Sequence, residues 1–154
     1  MSAPPKVGQK APDFEAVDTA GTPLKLSELA KKGPVIVAFF PKAFTPGWRN
    51  ELLAFQAGFA KLQEHKGTVI AIATDTNETM AKFKKSLKAE FPFVADPDGK
   101  LVKLYDVKIP IFTVAKRWTF VIDSNLTITH IDTGSDAINA GAAIGGACEL
   151  PLPK

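Results

Sequence analysis

Two uninterrupted apolar runs dominate the chain. Val35 to Phe40 is bounded by Gly33-Pro34 and Pro41, and Thr68 to Thr74 is a second run of the same kind. Continuous β-rich runs of this length predict strands buried on both faces. Between them Leu52, Phe55, Phe59 and Leu62 recur at spacings of three and four, which predicts an amphipathic helix. Strand, helix, strand at this length is a βαβ unit, so the two strands should be parallel neighbours.

Further along, Thr76 or Asn77 is placed to cap a helix to about Ala89, with Met80, Phe83 and Leu87 inward. Phe91 to Ala95 predicts a short strand, followed by a turn at Asp96-Pro-Asp-Gly99. Leu101 to Tyr105 suits a short helix. Trp118 to Ile122 and Leu126 to Ile131 read as a hairpin joined by an Asp-Ser-Asn turn. Parallel βαβ units followed by a hairpin predict an α/β fold with a central mixed sheet and helices on both faces.

Composition adds boundaries. The 154 residues suit one domain, with 45% hydrophobic and 23% charged residues, a globular balance. There is no repeat or linker, and a Gly- and Pro-containing tail is expected from about residue 141. No apolar run approaches the roughly 20 residues of a membrane span. Met1 to Pro5 lacks the basic and apolar regions of a secretion signal, so a cytoplasmic location is expected. An exported parent with its leader removed stays open. The net charge of +3 owes part of its excess to Lys82, Lys84, Lys85 and Lys88, on what reads as an exposed, solvated helix face. A nucleic-acid surface would carry more basic residues with aromatics among them. Cys148 is the single cysteine, which excludes an internal disulfide and any CxxC motif but leaves a disulfide between chains open.

Ligands of open α/β sheets gather beyond the carboxyl ends of the strands. The first buried strand ends at Phe40 and leads through Pro41 to Thr45, Pro46, Gly47 and Trp48. Thr45 followed by Pro46 predicts a helix start, with a hydroxyl at the N-cap and a proline at N1. Position 48 then falls in the first turn, where unpaired N–H groups and the helix dipole favour negative charge. A cysteine there would have its pKa lowered. The chain has an indole instead.

The spacing Pro41, Thr45, residue 48 resembles the signature of the peroxiredoxins, in which the last position is the peroxidatic cysteine. Gly8 to Phe14, Leu24 to Ser27, Phe39 to Gly47 and Arg117 to Asp123 resemble further family segments in the same order, together spanning about residues 6 to 133. The resemblance implies a thioredoxin-like fold and reduction of hydrogen peroxide and organic hydroperoxides by a thiol donor, commonly thioredoxin or glutathione. It implies that Thr45 hydrogen-bonds the thiolate and a peroxide oxygen, that Arg117 keeps the thiolate ionised and polarises the peroxide, and that Pro41 shields the pocket. Glu51, one turn beyond position 48, is placed to orient Arg117. A homodimer is expected on the same ground. No cofactor, metal, membrane or nucleic-acid partner is expected.

Trp48 departs from the pattern, and Arg49 departs from the threonine or serine usual beside it. The indole N–H only donates and gives no nucleophile, so the chain as written is expected to lack peroxidase activity. Three origins are open: a natural pseudoenzyme, an engineered substitution, or a selenocysteine UGA codon read as tryptophan. Cys148 stands either as an ordinary thiol or as a resolving cysteine, which in some peroxiredoxins comes from the partner chain's C-terminal tail. Two readings compete with the peroxidase: a silent binding or regulatory protein on this scaffold, and a redox sensor acting through Cys148. His65 and His130 lack metal-ligand spacing, and the sequons at Asn77 and Asn125 are short patterns that arise by chance.

Overall fold

A computed structural model describes residues 4–41, 48–109, 115–133 and 140–150, with the backbone alone at positions 48, 51 and 140–142. The elements follow in the order β1 (Glu15–Val17), β2 (Pro23–Lys25), α1 (Leu26–Lys32), β3 (Val35–Phe40), α2 (Trp48–Glu64) and β4 (Thr68–Ala73). Then come α3 (Asn77–Leu87), β5 (Phe93–Ala95), α4 (Lys100–Leu104), β6 (Trp118–Ile122), β7 (Ile128–Thr133) and α5 (Ala140–Cys148). Strands β1 and β2 form a separate antiparallel pair. The main sheet has the order β5-β4-β3-β6-β7, parallel from β5 to β3 and antiparallel from β3 to β7. This is the mixed sheet the apolar pattern predicts.

The central strand shows why an uninterrupted apolar run was needed. Every residue of β3 is buried, and its side chains alternate between two cores. Ile36, Ala38 and Phe40 meet α2, α3 and α5 through residues such as Phe55, Phe83 and Ile144. Val35, Val37 and Phe39 meet α1 and α4 through Leu26, Ala30, Leu101 and Val102, together with Tyr105. Each buried side chain of this size removes enough apolar surface from water to stabilise the fold by about 1.5–3 kcal/mol. Tyr105 is enclosed among Phe14, Phe39 and Phe120. Its hydroxyl donates to the carbonyl of Pro12 at 2.8 Å, which meets the cost of burying a phenol.

Helix α3 begins with Thr76, whose Oγ1 accepts from the N–H of Thr79, as the capping pattern predicts. It ends at Leu87 rather than Ala89, because Lys88 turns into the left-handed region and returns its N–H to the carbonyls of Lys84 and Lys85. Strand β7 starts at Ile128 rather than Leu126. Leu126 takes a φ of 64° and its carbonyl accepts from Ala11, so this stretch pairs with the N-terminal segment instead of β6. The expected C-terminal tail is in fact helix α5 as far as Cys148. Its alanines favour helix, and Ala143, Ile144 and Ala147 give it a face to bury. Strands β1 and β2 and helix α1 carry no period long enough to have been predicted. Among the described residues, no helix is long and apolar enough to cross a membrane.

Candidate active site

The candidate site begins where β3 ends. Phe40 is fully buried and Pro41 is half-buried. The antiparallel register pairs Phe39 with Trp118, so the next position sets Arg117 opposite Phe40. Alternation along the strand puts Arg117 on the face of Phe40, which is the face that α2 covers. The parallel register on the other side pairs Phe40 with Ala73 and so sets Thr74 beside Pro41. Two strands therefore deliver one residue each, Arg117 and Thr74, to either flank of the β3 carboxyl end.

Trp48 is the first residue of α2, so position 48 lies in the first helical turn, where the N–H groups of the turn lack intrahelical partners. Glu51 follows in the same helix. Thr45, with its expected capping role, lies outside the described residues. Arg117 is half-buried and its Nε is shielded from solvent, while Lys116 beside it is exposed. The base under Arg117 is stiff. Trp118 is tilted against Phe120 at 5.8 Å, and Phe120 packs edge-on to Phe39 at 6.1 Å.

Thr74 is a buried polar residue at this strand end that sequence reasoning did not single out. It is 5% exposed and its Oγ1 has no hydrogen-bond partner among the described residues. Only the strand register reveals its place; no sequence pattern marks it.

Cys148 is far from this end of the molecule. It lies half-buried at the end of α5, close enough to Lys61 and Glu64 to feel their charges. Burial pushes its thiol above the ordinary range, the Lys61 ammonium opposes that, and Glu64 adds to it. Lys61 is 13 residues beyond Trp48 on the same helix. At 1.5 Å per residue the two positions are about 20 Å apart along α2. The strand register therefore sets Arg117 opposite Phe40, next to Pro41, and α2 begins at position 48, while Cys148 lies well away along α2 within one chain.

Of the two histidines, His130 places Nε2 2.9 Å from Oδ1 of the buried Asp132. His65 sits in the turn after α2. Among the described residues no group of three or more His, Cys, Asp or Glu is placed to hold a metal.

The family model for AhpC/TSA proteins matches residues 7–131. The chain belongs to the AhpC/TSA family of peroxiredoxins. A Mycobacterium tuberculosis protein assigned to the peroxiredoxins is 31% identical over 140 residues, covering 89% of this chain and 91% of the relative. The chloroplastic peroxiredoxin Q of Oryza sativa subsp. japonica is 33% identical over 125 residues, covering 80% of this chain and 57% of that one. The crystal structure of peroxidoxin BcpB from Mycobacterium tuberculosis superposes with a TM-score of 0.87 at 30% identity, over 95% of this chain and 98% of that one. The peroxiredoxin fold is thioredoxin-like, and the mixed sheet with helices on both faces is that architecture.

Proposed function

We propose that this chain is a peroxiredoxin whose peroxide chemistry is silent because tryptophan occupies the peroxidatic position. The carrying observation is that Trp48 opens α2 after the β3 carboxyl end, with Arg117 set opposite Phe40 by the strand register, in a chain whose family match spans residues 7–131.

The chemistry that the site is built for needs a sulfur or selenium nucleophile at position 48. A thiolate there attacks the terminal oxygen of a hydroperoxide, the O–O bond breaks, and the leaving alkoxide takes a proton to become water or an alcohol. The sulfur is oxidised to a sulfenic acid. A thiol donor then displaces water to form a disulfide, and a second thiol reduces that disulfide. In this reading Arg117 holds the thiolate ionised and stabilises charge on the breaking bond, with Thr45 and Pro41 completing the pocket. Indole has no lone pair available for that attack.

Trp48→Cys tests the reading with dithiothreitol as reductant. The chain as written should consume hydrogen peroxide no faster than its heat-denatured control. The variant should turn over and form a sulfenic acid on the introduced thiol, readable by mass. Activity in the unaltered chain, or none in a folded variant, overturns the proposal.

The sensor reading through Cys148 is not favoured, because burial raises its thiol pKa and leaves less reactive thiolate at neutral pH.

A further inference from the structure

A second surface lies at the other end of the sheet. Helix α3 carries Ala81, Lys84 and Lys85 at spacings of three and four, which places them on one face, and Lys88 follows at its C-terminal cap. That face forms one wall of an open groove of about 440 Å³, and Thr19 and Ala20 form the other. Helix α3 runs from its cap at Thr76, near the β4 carboxyl end, and the lysines of the groove lie about 12–18 Å along it from that cap.

Both walls are held in place. Lys88 is fixed in the left-handed region by its N–H bonds to the carbonyls of Lys84 and Lys85. Opposite, the Asp18 carboxylate accepts from the N–H groups of Ala20 and Thr22 at 2.9 Å each, and the Thr19 N–H donates to the carbonyl of Phe93. Asp18 is 8% exposed and its carboxylate is engaged by the N–H groups of its own turn, with no ion pair to the groove lysines among the described residues. Lys82, on another face, pairs with Glu78 at 3.3 Å. Lys84, Lys85 and Lys88 have no ion pair among the described residues.

Lysines near a helix C-terminus are favoured by the helix dipole. That accounts for their sign, but not for their facing the fixed wall of Thr19 and Ala20 across a groove. We propose that this groove docks an acidic polypeptide segment of a partner protein. Charge complementarity selects an anionic occupant. Nucleic acid is disfavoured because the one aromatic of this stretch, Phe83, is turned into the core. A lipid surface is disfavoured because the exposed apolar residues here are only alanines. Docking at this end leaves the β3 carboxyl end open, so the inference does not depend on peroxidase activity.

The probe is a 12-residue peptide of glutamate, glycine and serine, titrated into the isotopically labelled full chain at low salt. Amide shifts should concentrate at residues 19–21 and 84–89 and fade as salt rises. Lys84→Gln, Lys85→Gln and Lys88→Gln together should weaken binding tenfold or more, at about threefold per ammonium. Removing the same charge from the exposed Lys31, Lys32 and Lys103 should leave binding within twofold. Equal weakening by the two triple variants would reduce the effect to net charge and overturn the proposal. So would absent or scattered shifts, or tighter binding at these residues by a single-stranded oligonucleotide or phosphatidylserine vesicles.

Discussion

Phe39 and Trp118 face each other across β3 and β6, and their pairing sets Arg117 opposite Phe40 at the edge of the candidate site. The backbone of Arg117 is thus placed beside the β3 carboxyl end by strand register rather than by a loop. In the Trp48→Cys background, Arg117→Lys should lower kcat/KM for hydrogen peroxide by about 100-fold, since it removes a fixed fork of donors at the point where charge develops. The midpoint of the pH–rate profile should also move upward, because the thiolate loses part of its stabilisation. A loss of melting temperature with an unmoved pH profile would assign Arg117 a structural role only.

Gly33 is tied to Lys66 by an equally tight relation. A Cβ on Gly33 would stand 2.1 Å from the Lys66 carbonyl oxygen and 2.5 Å from its carbon, and both are backbone atoms that cannot swing away. This contact locks the end of α1 against the turn after α2, where β3 and β4 begin. Gly33→Ala should cost about 3 kcal/mol, seen as a lower urea midpoint with an unchanged slope. A loss below about 0.5 kcal/mol would mean that the turn at Lys66 yields freely.

The fold was legible because its centre is written in periods. β3 and β4 are buried on both faces and read as unbroken apolar runs, while α2 and α3 show helical spacing. β1, β2 and α1 were illegible because each is short and half-exposed, and their place depends on contacts distant in sequence. Leu126 shows the same limit, for its pairing with Ala11 shortened the predicted strand. At the site, position 48 and Arg117 could be named from spacing and resemblance. Thr74 could not, because its proximity to Pro41 exists only in the sheet register.

Asp96 gives a pH-dependent test. Its carboxylate is 5% exposed and accepts from the N–H of Leu101 at 3.0 Å and of Val102 at 3.0 Å, which caps α4. Burial nevertheless raises its pKa above 3.8, outweighing the lowering by those N–H groups, and Asp98 raises it further. The folded state therefore holds this proton more tightly than the unfolded state. The resulting stability is complete below the unfolded value and is lost as pH rises through the folded one. Asp96→Asn removes that slope, so its stability relative to the unaltered chain should improve between pH 3.5 and pH 7 in urea titrations. Asp96→Ala should cost about 1 kcal/mol at pH 7, because the α4 N–H groups lose their acceptor. A relative stability of the asparagine variant that falls with pH would show that the N–H bonds, not burial, control this carboxyl.

The last test concerns Cys148. A disulfide needs Cα atoms about 4.4–6.8 Å apart, whereas Cys148 sits by Lys61, about 20 Å along α2 from position 48. Peroxide treatment of Trp48→Cys should therefore produce no disulfide within one chain while α5 stays packed. A disulfide to Cys148, if formed, should join two chains, and its yield should rise with protein concentration. Burial of the thiol makes a second demand. Cys148 should react with a thiol reagent more slowly in the folded chain than in urea, with a pH midpoint above the 8.5 of free cysteine. Peptide mapping under non-reducing conditions at two protein concentrations reads the first point. A concentration-independent internal crosslink would mean that α5 leaves α2 during oxidation, since Ile144 otherwise packs within contact of Gly58 and holds Cys148 at the far end.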